Sequence, residues 1–172
     1  MNSLLSIWNL ELANTQLTGL GNAKLLHTAI TAFFASRQCP GIAIHTALDW
    51  AVQKAKQKQT VIGGFHSPLE QSVLRILLTA KSPAVVVLAR NAAKAKISAE
   101  WLDAVQAGQM VVISAQHEAT SIRLTDAIAH DRNELAATLA HTIVVAHASP
   151  TGKLAEQVRV WREAGRMIHV LV

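Results

Sequence analysis

Hydrophobic and polar positions divide the chain into two kinds of segment that alternate. Short, uninterrupted runs of apolar residues are typical of strands buried on both faces of a parallel sheet. Such runs occupy residues 30–35, 60–62, 84–89, 110–114, 141–146 and 166–172. Between the runs, apolar residues recur every three or four positions, which predicts amphipathic helices. These helices begin at residue 42 and span 68–79, 99–107, about 126–139 and 154–164.

This alternation predicts the fold class, which is α/β. Right-handed strand–helix–strand units build a Rossmann-like, doubly wound and mostly parallel sheet of about six strands, with helices on both faces. Residues 3–17 carry apolar residues in a loosely helical pattern. We therefore expect an N-terminal lead-in helix within residues 1–17, followed by one globular domain over residues 18–172. Residues 115–125 are polar and predict a loop on the site side of the sheet.

Composition bounds the class of protein. The 172 residues are 51% apolar, which suits a single domain with its own core. No apolar run reaches transmembrane length and the first residues lack signal-peptide features, so we expect a cytoplasmic protein with no membrane partner. The single cysteine, Cys39, excludes an internal disulfide. Sixteen Lys and Arg against eleven Asp and Glu give a net charge of +5, which is compatible with an anionic partner.

The stretch Thr60–Glu70, TVIGGFHSPLE, holds the most informative local pattern. A predicted strand ends at Gly63-Gly64, and Ser67, Pro68 and Glu70 then fit the N-cap, N1 and N3 positions of a capping box. Strand, glycine pair and capped helix together favour phosphate, because backbone N–H groups and the positive helix end meet there. A tight turn without a ligand is the alternative interpretation.

Ligands of open α/β sheets bind beyond the carboxyl ends of the strands. Small residues, hydroxyl groups and cations recur at those ends here, as phosphate recognition requires. His66 and His147 also follow predicted strands and could hydrogen-bond a ligand. The eight histidines show no zinc-site spacing, so we predict no metal site and no cofactor. Trp50, Trp101 and Trp161 fall at core spacing on predicted helices, which favours packing over base stacking.

Several segments resemble the Rossmann-like domain of the DNA-processing protein A (DprA/Smf) family, within the wider superfamily that includes the LOG-type proteins. Ala35-Ser36-Arg37 stands where that family has Gly-Ser-Arg, and Ile62-Gly63-Gly64 stands where it has Ser-Gly-Gly. Arg132-Asn133, a following apolar strand and residues 149–153 match its Arg-Asn-Arg helix, strand and Ser-Gly-Ser loop. The family's Gly-Ile-Asp segment after the glycine pair is replaced here by Phe65 and the residues that follow.

The resemblance implies a binding module without catalysis, whose partner is single-stranded DNA or a nucleotide-like anion, in DNA processing or uptake. No catalytic residue is assigned. The predicted ligand- or phosphate-binding residues are Ser36, Arg37, Gly63, Gly64, His66, Ser67, Arg132, Asn133, Ser149, Gly152 and Lys153.

Other interpretations stay open. The chain could be an enzyme or sensor for a nucleotide derivative, acting by LOG-like hydrolysis of an N-glycosidic bond, although the Pro-Gly-Gly-x-Gly-Thr-x-x-Glu signature of that branch is absent. In that case Glu70, which we interpret as a cap, or Glu134 would supply the acid. An interaction protein with a degenerate pocket is a third alternative. A homodimer is compatible with each, because an apolar N-terminal segment and an edge strand need cover.

Overall fold

One mixed sheet of eight strands runs through the molecule, in a computed structural model that describes residues 5–115 and 126–172. The strands are β1 (Ile7–Leu12), β2 (Thr15–Gly21), β3 (Ile30–Phe34), β4 (Thr60–Gly63), β5 (Ala84–Val87), β6 (Met110–Ala115), β7 (Thr142–Val145) and β8 (Ile168–Val170). The helices are α1 (Gly41–Lys56), α2 (Pro68–Thr79), α3 (Ala99–Gln106), α4 (Asp126–Leu139) and α5 (Lys153–Glu163). Short 3-10 turns span Ala23–His27 and Ala92–Lys94.

The strand order is β1-β2-β6-β5-β4-β3-β7-β8. From β3 the chain adds β4, β5 and β6 in turn on one side, and then crosses back to place β7 and β8 on the other side. All neighbouring strands from β6 to β8 are parallel. The direction of winding therefore reverses between β3 and β7, and such a reversal opens a crevice at the carboxyl ends of the two strands.

Helices cover both faces of the sheet. Strand side chains alternate in direction, so neighbouring residues of one strand enter different cores. Phe33 and Val61 pack with apolar residues of α1, α2 and α3. Phe34 and Ile62 pack with residues of α4 and α5 on the opposite face. The predicted doubly wound, mostly parallel α/β fold is confirmed.

The predicted N-terminal helix is wrong. Residues 7–12 and 15–21 instead form the antiparallel hairpin of β1 and β2, which pairs with β6 and enlarges the sheet from about six strands to eight. Ala13 and Asn14 turn the chain with φ angles of 50° and 58°, as a two-residue hairpin turn requires. The Trp8 indole covers Gly19, and its Nε1 donates to the Gly21 carbonyl at 3.0 Å.

The predicted helices 68–79 and 126–139 have those bounds in the structure. The predicted loop at residues 115–125 lies outside the described residues, apart from Ala115, which ends β6. Within the described ranges, no helix combines the length and apolar character needed to cross a bilayer.

Candidate functional site

A buried carboxylate, Glu70, joins the start of α2 to the end of β3. Its Oε2 accepts from the Ala35 N–H at 2.9 Å, and its Oε1 accepts from the N–H groups of His66 and Ser67 at 3.0 and 3.2 Å. The Ser67 hydroxyl accepts from the Glu70 N–H, which completes the predicted capping box with Pro68 at the start of the helix. Burial raises the pKa of Glu70, against the opposing effect of these N–H groups and of the Arg132 charge.

Glu70 changes the expected role of this turn. The N–H groups of His66 and Ser67, which the sequence pattern offered to a phosphate, are bound by the protein's own carboxylate. Glu70 therefore fixes the shape of the loop after β4. A ligand at this edge would meet the glycine backbone and the nearby cations instead.

The Arg132 guanidinium, carried by α4, lies against Gly64 at the end of β4. A Cβ built on Gly64 would stand 2.8 Å from Cδ and 2.9 Å from Cζ of Arg132, and closer still to Nε. Only glycine leaves room for this approach. Burial lowers the pKa of Arg132, which an arginine tolerates without losing its charge at neutral pH. Its Nε is buried and has no hydrogen-bond partner among the described residues.

His66 and Arg37 stand beside this arginine. Both side chains are exposed at the rim, His66 after β4 and Arg37 after β3. Partial burial lowers the pKa of His66, and the charges of Arg132 and Arg37 lower it further. Three basic groups from three separate segments of the chain therefore act on one point of the carboxyl edge.

Ser36 and Ser149 meet at the crevice between β3 and β7. The Ser149 N–H donates to the Ser36 hydroxyl at 2.9 Å, and the Ser36 N–H donates to the His147 carbonyl at 2.9 Å. The Gly152 N–H donates to the Ser149 carbonyl at 2.8 Å and closes the loop. Gly152 is also the N-cap residue of α5. Among the described residues, no side chain caps the start of α5. Because α5 follows β7 and Arg37 follows β3, and these strands are parallel, the first N–H groups of α5 lie at the same edge of the sheet as Arg37.

Three further predicted residues contact other groups than these cations. The Asn133 amide donates to Gln157 Oε1 at 3.0 Å and so joins α4 to α5. Lys153 forms an exposed ion pair with Asp126 at 2.7 Å. Gly63 is buried within β4, where an added Cβ would stand 3.1 Å from the Phe33 carbonyl oxygen.

A cleft of 730 Å³ opens beside Arg132, at the carboxyl ends of β4 and β5. Its lining combines aromatic rings, one acid and several cations, which come from different elements, so no local sequence pattern shows that they meet. Among these aromatic and charged residues, the sequence predicted a ligand contact only for His66 and Arg132. The charged and aromatic residues that line the cleft are Phe65, His66, Arg75, Arg90, Lys94, Glu100, Trp101 and Arg132.

Both glutamates considered for an enzymatic role are engaged in contacts within the protein. Glu70 accepts the three N–H groups described above. Glu134 Oε1 accepts from Trp161 Nε1 at 2.9 Å and from Gln157 Nε2 at 3.1 Å, between α4 and α5. In residues 5–115 and 126–172, no three His, Cys, Asp or Glu side chains gather closely enough to hold a metal ion.

The winding reversal, the glycine pair and the basic groups at the strand ends define a Rossmann-like α/β protein with a cationic carboxyl edge. The chain belongs to the family of DNA recombination-mediator protein A, whose model matches residues 6–172. The resemblance to DNA-processing protein A is thereby confirmed. No curated protein matches the chain.

Solved structures share the fold at low sequence identity. DNA processing protein A from Helicobacter pylori, described for its single-stranded DNA binding mode, has a TM-score of 0.76 and 15% identity, and the match covers 99% of this chain and 82% of that one. DNA processing protein A from Streptococcus pneumoniae has a TM-score of 0.70 and 18% identity over 89% of this chain and 53% of that one. The chain thus spans about half of the S. pneumoniae protein. The molybdenum cofactor carrier protein of Chlamydomonas reinhardtii matches with a TM-score of 0.53 and 15% identity, over 82% and 74% of the two chains.

Proposed function

We propose that the protein binds single-stranded DNA through its phosphates at the carboxyl edge of the sheet, between β3, β4 and β7, and does so without catalysis. The observation that carries the proposal is the position of Arg132. Its guanidinium is held against Gly64, with Nε unpartnered among the described residues, beside His66 and Arg37. Family membership and the single-stranded DNA binding described for the H. pylori protein agree with it.

The electrostatics of the edge favour an anion. Burial lowers the pKa of His66, and the positive charges of Arg132 and Arg37 lower it further, so three basic groups repel one another at this edge. A phosphate placed there relieves this repulsion and accepts charge-assisted hydrogen bonds from the guanidinium groups. The uncapped start of α5, next to Ser149, adds N–H donors that suit the same ligand.

Binding to phosphates predicts sensitivity to salt and tolerance of base sequence. We would follow the anisotropy of a labelled oligothymidylate of about 20 nucleotides between about 50 and about 200 mM salt. The affinity should fall steeply with salt. Arg37→Ala should weaken binding about tenfold for thymine-rich and mixed sequences alike, and should reduce the slope of log K against log salt by about 0.7.

The matched control is Arg162→Ala. Arg162 is an exposed arginine at the end of α5, which leads into β8 and therefore lies at the opposite, amino edge of the sheet. This variant should bind like the wild-type protein. Equal losses in both variants would show non-specific attraction to net charge and would contradict the proposed site.

A further inference from the structure

Trp101 differs from the other tryptophans carried by helices. The rings of Trp50 and Trp161 pack on Phe33 and Phe34, with centroids 5.1 and 5.0 Å apart. Trp101 is half-buried and lines the cleft at the ends of β4 and β5. Trp101 packs against the same core as Trp50, as its helical spacing predicted, but among the described residues its ring stacks on no other aromatic ring and borders the cleft.

The walls of this cleft are fixed by hydrogen bonds. The Ser98 hydroxyl accepts from the Trp101 N–H at 3.3 Å and caps α3, which sets the start of the helix that carries the indole. On the other wall, the buried Ser114 hydroxyl accepts from the Ala92 N–H at 2.9 Å and holds the short turn that presents Lys94. The cleft is therefore formed before any ligand arrives.

The charges of the cleft point to a ligand with phosphate. Arg75, Arg90, Lys94 and Arg132 line it together with one acid, Glu100. Its volume of 730 Å³ lies within the range of about 300 to 1,000 Å³ that small-molecule sites occupy. An aromatic ring combined with several cations suits a nucleotide, because a base can stack on the ring while its phosphate meets the cations.

We propose that this cleft holds one nucleotide unit of the bound strand, with its base against Trp101 and its phosphate on Arg90 and Lys94. The proposal rests on the proposed function. The two sites are continuous, since Gly64, His66 and Arg132 line the cleft and also form the phosphate edge. Neighbouring β-strands are about 4.8 Å apart, so the end of β5 stands about 10 Å from the end of β3. A few nucleotides of one DNA strand can span this distance.

The test compares an oligothymidylate with an abasic oligonucleotide of the same length, which has the same phosphates and no bases. Wild-type protein should bind the abasic strand at least tenfold more weakly, as expected for loss of base stacking. Trp101→Leu should lose about tenfold on oligothymidylate and should discriminate much less between the two strands. Trp101→Phe, which keeps a ring, should retain most of the discrimination. Oligothymidylate should also quench tryptophan fluorescence in the wild type and quench it less in Trp101→Phe.

A second variant avoids any change to packing. Arg90 is exposed, so Arg90→Ala should leave the fold intact. It should weaken the binding of both oligonucleotides and reduce the dependence of log K on log salt, whereas Arg162→Ala should change neither quantity. The base site would be overturned if both oligonucleotides bound with equal, salt-dependent affinity and if no fluorescence quenching depended on Trp101. The proposed function would still stand in that case. Quenching by thymidine monophosphate but not by the oligonucleotide would also overturn the base site. Binding of neither strand would overturn the proposed function itself.

Discussion

The Arg132 guanidinium packs directly on the backbone of Gly64, and this contact brings α4 onto the end of β4. The two residues reach each other because β4 lies in the middle of the sheet and α4 crosses back over the face that carries Phe34 and Ile62. A glycine without a side chain thus sets the position of a cation.

Gly64→Ala should weaken DNA binding because the new Cβ would force the Arg132 side chain away from its position. The far end of an arginine is flexible, so we expect about a tenfold loss of affinity with little change in the melting temperature. Anisotropy and thermal melting measure the two effects. Gly41→Ala is the control, since a Cβ at Gly41 meets nothing within 4 Å. Unchanged affinity in Gly64→Ala would show that the position of Arg132 does not matter for binding.

Binding should strengthen as the pH falls, through His66. The pKa of His66 lies below its ordinary value in the free protein, owing to burial and to the charges of Arg132 and Arg37. A bound phosphodiester adds negative charge and raises that pKa, so binding takes up a proton, and affinity grows as the pH is lowered from about 7.5 to about 5.5.

Oligothymidylate titrations at several pH values check this expectation. His66→Gln should flatten the dependence, whereas His27→Gln should not, because His27 is exposed just before β3 at the amino edge of the sheet. A dependence that survives in His66→Gln would place the titrating group elsewhere.

Glu70→Ala should destabilise the fold by about 3 kcal/mol, because it leaves the N–H groups of Ala35, His66 and Ser67 without their acceptor and removes a capping box. Urea denaturation gives the free energy of unfolding. Glu156→Ala, which removes an exposed ion pair with Arg159, should change the free energy of unfolding far less, because solvent screens such a pair. Similar values for the two variants would contradict the structural role of Glu70.

Glu134→Ala tests the contact between α4 and α5. The change leaves the Trp161 indole N–H and one Gln157 donor without their shared acceptor, which should lower the free energy of unfolding by about 2 kcal/mol. The effect on oligonucleotide binding should be small, since Glu134 does not line the cleft beside Arg132. If Glu134→Ala abolished binding while unfolding stayed unchanged, Glu134 would belong to the ligand site.

The sequence predicted those helices and strands whose capping residues or apolar pattern match their place in the folded structure. The capping residues Ser67 and Glu70 and the proline between them set the start of α2, and uninterrupted apolar runs marked the central strands. The hairpin was missed because the apolar residues of the stretch 3–17 were interpreted together as a loosely helical pattern. Trp8, Leu10 and Leu12 alternate with polar residues, which is the signal of a strand, and the turn lacks the usual Asn-Gly pair.

The site was predicted only in part, for a physical reason. Strand ends could be read along the chain, which identified Ser36, Arg37 and Gly64. Strand order and helix packing decide which residues meet. The hydrogen bond from the Ala35 N–H to the Glu70 carboxylate therefore carried no local sequence signal. The cleft beside Arg132 was missed on the same ground. Asn133, a predicted ligand residue, donates its amide to Gln157, and this contact between α4 and α5 carried no local signal either.

Binding at the carboxyl edge is tested most directly by titrating isotope-labelled protein with oligothymidylate and monitoring the glycine amide resonances by nuclear magnetic resonance. Gly63, Gly64 and Gly152 report the carboxyl edge of the sheet, while Gly21, Gly108 and Gly165 adjoin the amino edge. If DNA binds at the carboxyl edge, the resonances of Gly63, Gly64 and Gly152 should shift strongly and the other three should shift little. Shifts concentrated on Gly21, Gly108 and Gly165, or spread evenly over all six, would contradict binding at this edge.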